Sequence, residues 1–187
     1  MMTQVLTHRR FTLEDYYRMQ EAGILTEDDR VELIEGEIVQ MAPIGSRHAA
    51  GVKNLANRLG PLVQGRALIA VQDPVRLGPG SEPQPDFALL RLREDSYASA
   101  HPAPADILLL VEVADASLGY DRDVKVPLYA QAKVPEVWLM DLESDSIAVH
   151  REPSSEGYRS VQILRRGQRL SLQAFPDVSI AVDDLLP

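Results

Sequence analysis

No cysteine occurs in the 187 residues, which removes disulfides, thiolate metal sites and cysteine nucleophiles from consideration. The absence also fits a reducing compartment. No apolar run is long enough to cross a bilayer. The longest, Ile107–Val111, falls far short of the roughly 20 residues a spanning helix needs. The opening MMTQVLTHRRFTLEDYY carries charge and lacks the apolar stretch of a secretory signal. The expectation is a cytoplasmic protein with no membrane partner. Low-complexity tracts and internal repeats are also missing. Positive charge is scarce, with 19 Lys and Arg against 28 Asp and Glu and a formal net charge of -9. That argues against a dedicated nucleic-acid binder with a basic face. It leaves a nuclease open, because carboxylates that hold a divalent cation count as negative in the sequence but not in the loaded site.

The length suits one domain, residues 1–187, with 1–9 as a flexible N-terminal tail. Phe11-Thr12-Leu13-Glu14-Asp15 predicts a helix start. Thr12 is the N-cap, Asp15 takes the capping-box position and Phe11 staples onto Tyr16. That helix ends near Gly23. Arg30–Met41 predicts a β-hairpin turning at Glu35-Gly36. Ser46–Gly65 predicts a helix with Val52, Leu55, Ala56, Leu59, Leu62 and Val63 at helical spacing. Its other face carries Arg47, Asn54 and Arg58, and Pro61 kinks it or marks its last turn. Strands are expected at Leu68–Gln72, Val75–Leu77 and Asp86–Leu90. Ile107–Val113 is almost wholly apolar, as in a central strand buried on both faces. Asp121–Lys133 predicts a helix with Pro127 in its second turn, and Val137–Met140 another buried strand. Ser144–His150, Tyr158–Leu164 and Leu170–Leu172 then form a terminal β-meander. The order implies an α/β core, a mixed sheet flanked by helices.

Glu112 is the exception in its strand. A carboxylate within Leu-Leu-Leu-Val-Glu-Val-Ala costs several kcal/mol to bury ionised and unpaired. It must therefore be neutral, paired or metal-bound, and backbone N–H groups or an Arg can also satisfy it. Asp86 opens the apolar stretch Phe87-Ala88-Leu89-Leu90 directly after Gln84-Pro85. If the two strands are neighbours, both carboxylates converge at one end of the sheet. They would form the incomplete oxygen cage that Mg²⁺ prefers, with positions left for water and a phosphate. Mn²⁺ suits the same oxygen set. Such a metal would lower the pKa of an attacking water. Lys125, early in the following helix, is within reach of the same sheet end, to orient that water or balance phosphate charge. Each residue also has a plainer reading. Asp86 fits a turn after Pro85, Lys125 a solvated helix residue and His48 a solvated helix start. Trp138 and Tyr129 fit the core or an interface, and Asp115, Asp121 and Asp123 fit caps.

Several segments together resemble a known family. They are Pro85-Asp86, Val111-Glu112-Val113, Asp121-Arg122-Asp123-Val124-Lys125 with Tyr129, and Val134-Pro135-Glu136-Val137-Trp138-Leu139-Met140-Asp141. In this order, and with Val31–Val39 and Ser46-Arg47-His48 before them, they resemble the Uma-two family of putative restriction endonucleases. The resemblance covers roughly residues 10 to 180. It implies the PD-(D/E)XK, restriction-endonuclease-like fold, with Asp86 and Glu112 as metal ligands and the Val113 carbonyl as a third. The superfamily places its Lys two residues after the Glu, where this chain has Ala114. The resemblance therefore implies that Lys125 has taken over that role. It also implies that Glu32 belongs to the site, as a ligand directly or through water.

Three functions follow, since fold alone does not choose among them. One is a Mg²⁺- or Mn²⁺-dependent DNA endonuclease, with DNA as its substrate. The second is a non-catalytic binding or assembly module on the same fold, suggested by the acidic balance and by Ala114. The third is a phosphodiesterase acting on RNA or nucleotides. A homodimer would place one site on each strand of a duplex, with Trp138 and the C-terminal strands as candidate contacts.

Overall fold

Thr12 caps the first helix as the sequence predicts. In the computed structural model, which describes residues 8–26 and 28–187, its hydroxyl accepts the Asp15 N–H at 3.1 Å and the Asp15 carboxylate accepts the Thr12 N–H at 3.0 Å. This reciprocal cap starts helix α1, Leu13–Glu21. Most of the expected N-terminal tail lies outside the described residues. Strands β1 (Val31–Ile34) and β2 (Glu37–Gln40) form the expected hairpin. Glu35 and Gly36 turn it with positive φ at both positions, the left-handed pair that matches strand twist. At Gly36 a Cβ would also lie 2.7 Å from the Arg10 Cβ, so the close approach of the chain there needs glycine.

Helix α2 spans Ser46–Val63 and keeps Pro61 in its last turn. Strands β3 (Leu68–Ala70), β4 (Phe87–Leu90) and β5 (Ile107–Ala114) follow. A helical segment then runs from α3 (Leu118–Tyr120) through a wide π turn at Asp121–Lys125 into α4 (Val126–Gln131). Strands β6 (Glu136–Asp141), β7 (Ser146–Ser154) and β8 (Gly157–Arg165) complete one six-stranded sheet in the order β3-β4-β5-β6-β7-β8. Only β5 and β6 pair in parallel; the other neighbours are antiparallel. All of β5 is buried, as its apolar run predicts.

Alternation along β5 divides the core. Leu109, Val111 and Val113 pack toward Leu55 and Leu59 of α2, together with Trp138, Met140 and Leu164. Leu110 and Ala114 face Val126 and Tyr129 of the other helical layer. Glu112 lies between those two positions and shares their face. Strand β5 therefore presents its one carboxylate to the π turn and α4.

Four sequence expectations change. Val75–Leu77 is not a strand of the sheet. Its N–H groups bond Pro83, Pro102 and Ser81 carbonyls in a loop, because prolines 74, 83 and 85 remove the donors a ladder needs. Leu170–Leu172 does not extend the meander. Strand β9 (Arg169–Ser171) instead pairs with β10 (Ser179–Ala181), ahead of the short helix α5 (Val182–Leu185). Their apolar side chains cover the α2 face of the core. The helix expected at Asp121–Lys133 starts earlier and widens before Pro127, where the Val126 N–H bonds the Asp121 carbonyl five residues back. Proline has no N–H and its ring crowds the preceding turn, so the wider turn relieves a conflict that a regular α-helix would carry. Trp138 is fully buried and donates from Nε1 to Glu136 Oε1 at 3.0 Å, so it belongs to the core and not to a contact surface.

One core histidine gives stability a pH dependence. Burial pushes the His150 ring below its ordinary pKa, and its Nε2 has no partner. Below about pH 6.5 the unfolded chain binds a proton there that the folded chain resists, so stability falls as the pH drops. His150→Phe should flatten this acid-side slope in urea denaturation at pH 7 and pH 5. An unchanged slope would show that the ring does not titrate with folding.

Candidate functional site

Two long-range pairings build the site. The register Phe87↔Val111 places Asp86, one residue before β4, beside Glu112 of β5. The Val113 N–H donates to Asp86 Oδ2 at 2.8 Å and locks that arrangement. Pro85 favours extended backbone at Gln84, the residue before it. The other carboxylate oxygen, Oδ1, accepts Gln72 Nε2 at 3.2 Å and meets His48 Nε2 at 2.9 Å. Gln72 reaches it from a left-handed backbone position just past β3.

Glu112 is only 2 % exposed. Its Oε1 accepts the Tyr129 hydroxyl and lies 3.3 Å from Lys125 Nζ. Lys125 Nζ also lies 3.1 Å from Glu32 Oε2, which accepts the Gln84 N–H at 3.1 Å. Glu32 of β1 is buried, and the hairpin carries it to the π turn. A single ammonium thus bridges a hairpin carboxylate and a sheet carboxylate. Asp121, at the other end of the π turn, is buried and accepts the Ser117 hydroxyl at 2.6 Å.

These groups share a cavity of about 180 Å³ lined by Glu32, His48, Asp86, Glu112, Asp121 and Lys125. Asp115, Arg30, Gln84 and Tyr120 also reach its wall. Five carboxylates therefore face two permanent cations, Arg30 and Lys125. The pKa directions follow from that surplus. Burial pushes the Glu112 carboxyl up, Lys125 pulls it down, and Asp121 and Asp86 raise it further. Burial also raises Asp121, against its Ser117 hydrogen bond. Burial opposes the charge on Lys125, but Glu112, Glu32 and Asp121 outweigh it and hold the ammonium protonated. The Asp86 contact raises His48, against the opposing effect of burial.

The donor set fits a hard divalent cation. Asp86 and Glu112 offer oxygens at one cavity, and the excess negative charge there has no sufficient counter-ion. Among the described residues no three His, Asp or Glu side chains are arranged to grip an ion by themselves. Ligation through Asp86 Oδ1 would displace the His48 contact.

The structure brings Asp86, Glu112, Lys125 and Glu32 to one cavity. Gln72, Tyr129 and Asp121 join them through their contacts, where the sequence presents a strand end, a core or interface aromatic and a helix cap. For Tyr129 the signals are its place in the family-like segment and a hydroxyl on a helix beside a strand with a buried acid. Gln72 carried none. The face with Arg47, Asn54 and Arg58 is not simply solvated. Asn54 donates to the Leu185 and Leu186 carbonyls at 3.3 Å, and Arg58 pairs with Asp184 at 3.8 Å, which anchors the C-terminal segment.

A family model described as "Putative restriction endonuclease", Uma2, matches residues 13–183. No curated protein matches the chain. Among solved structures, the fold is similar to that of a putative nuclease belonging to DUF820 from Anabaena variabilis ATCC 29413. The TM-score is 0.76 at 14% sequence identity, over 94% of this chain and 97% of that one. At such identity the likeness is one of fold.

Proposed function

Since this chain belongs to the Uma2 family of putative restriction endonucleases, we propose that it is a metal-dependent nuclease that hydrolyses phosphodiester bonds in DNA. The observation that carries this reading is the pairing of Asp86 and Glu112 across β4 and β5, on a cavity with more carboxylate than its cations can balance. Asp86 and Glu112 would hold the metal, Mg²⁺ or Mn²⁺, with Glu32 close by through Lys125. When bound, the metal supplies Lewis-acid activation of water and charge relief at the phosphate.

The remaining work belongs to the chain. The Val113 N–H and the Gln72 amide orient the Asp86 carboxylate. Tyr129 and Lys125 fix the Glu112 carboxylate from the helical side. Lys125 is protonated and therefore acts as a donor and not as the base. Its Nζ can hold the attacking water by hydrogen bond and offset charge that develops on the phosphoryl oxygens. Glu32, Glu112 and Lys125 are themselves buried, so their charges act in a lower dielectric than bulk water.

The test is direct. Purified protein with Mg²⁺ or Mn²⁺ should nick or linearise supercoiled plasmid, and EDTA should stop it. Cutting that persists in EDTA would remove the metal-dependent reading. Turnover on RNA but not on DNA would move the substrate class.

A further inference from the structure

On a chain of net charge -9, three arginines gather at the sheet end that carries the cavity. Arg30 lines the cavity and donates to the Ala42 carbonyl at 3.2 Å. Arg47 precedes His48, whose ring lies on Asp86. Its guanidinium donates to the Leu142 carbonyl at 2.8 Å, and the Leu142 N–H donates to the Ala114 carbonyl at 3.0 Å, two residues past Glu112. Arg166 follows β8, whose last residue, Arg165, pairs with Ser146, as Ser146 pairs with Asp141 and Asp141 with Ala114. Arg47 and Arg166 thus occupy the same sheet edge as the cavity.

The two share one carboxylate. Asp145 lies 3.8 Å from Arg47 and 3.3 Å from Arg166, and the guanidinium side chains remain 53% and 40% exposed. One Asp145 carboxylate serves two guanidiniums, and Arg166 also donates to the Pro187 oxygen at 2.9 Å. Guanidinium planes suit phosphate oxygens better than a compact ammonium does. Helix α2 adds to this. It has no side-chain cap and no acid in its first turn, and its N-cap Gly45 stands in the cavity wall.

Resting on the nuclease reading above, we infer that Arg47 and Arg166 form a clamp on the sugar-phosphate backbone of the substrate, with Arg30 at its inner end. Asp145 spaces the two guanidiniums and tempers their charge until phosphate arrives. The probe is a fluorescein-labelled DNA duplex in Ca²⁺, followed by anisotropy across a salt series. Arg47→Ala and Arg166→Ala should each weaken binding by about three- to tenfold and lower the slope of log K against log salt by about one. Arg166→Lys should keep the slope, which guards against a folding artefact. Asp145→Asn should tighten binding severalfold, an effect that a purely structural ion pair would not produce. Unchanged affinity and slope in both alanine variants, or weaker binding by Asp145→Asn, would overturn the clamp. If the wild-type chain neither binds nor cuts nucleic acid, the nuclease reading fails and takes the clamp with it. Cutting with normal binding by the variants removes the clamp alone. Binding with the expected pattern but no cutting upholds the clamp and removes only the catalytic reading.

Discussion

Replacing Glu112 with alanine should lower DNA cleavage by about a thousandfold or more while leaving the protein folded. The loss comes from chemistry. On the proposed metal-dependent reading Glu112 would ligate the cation, and no other β5 side chain carries a carboxylate to replace it. Folding survives because Lys125 keeps Glu32 as its partner at 3.1 Å, and removal of Glu112 also removes the cost of burying that carboxylate. Asp86→Asn should lose activity similarly. It preserves shape but turns an acceptor facing His48 and Gln72 into an amide that is a poor ligand. Calorimetry with Mn²⁺ separates binding from turnover, and thermal denaturation checks the fold. Full cleavage by either variant would mean that the two carboxylates do not form the reacting centre.

Lys125→Ala should behave differently, with loss of both activity and stability. Its removal leaves Glu112 and Glu32 buried without their common cation, a change that typically costs about 3–5 kcal/mol. The sign with pH follows. Without the ammonium, the Glu112 carboxyl, which burial pushes up and Lys125 pulls down, holds its proton in the folded state at pH values where the unfolded chain has released it. Folding then binds protons, so the variant loses stability as pH rises and comes closest to wild type in acid. Divalent metal should restore part of the loss, because it supplies the missing positive charge. Urea denaturation at pH 5.5 and pH 8, with and without Mg²⁺, measures all three effects. A loss below about 1 kcal/mol at both pH values would show that Lys125 is a dispensable surface ion and not the buried bridge.

The capping box at Thr12, the hairpin turn at Glu35-Gly36, helix α2 and the buried run of β5 were legible because each is set by neighbours in the chain. Dihedral preference, caps and apolar period act over a few residues. The limits of that legibility have local causes as well. The prolines around Val75–Leu77 cancel a strand pattern by removing donors. Pro127 widens a helix that periodicity alone predicts as regular. Leu170 carries the same pattern whether it extends the large sheet or pairs with Ile180, and only its partner tells which.

The acidic surplus at the cavity divides in the same way. The sequence by itself determined that chain chemistry must answer for Glu112, since a carboxylate in an apolar strand demands a partner. It also supplied Asp86 behind a proline and, by the family resemblance, an Ala114 where a lysine is usual. Only the tertiary structure decided which groups meet. The β4–β5 register set Asp86 beside Glu112, and the hairpin brought Glu32 to Lys125. The same folding buried Asp121, put Gln72 and His48 on Asp86, and joined Arg47 to Arg166 through Asp145. The physical reason is range. Local preference acts between neighbours, whereas these contacts join residues tens of positions apart through sheet register and helix placement, which no short pattern encodes.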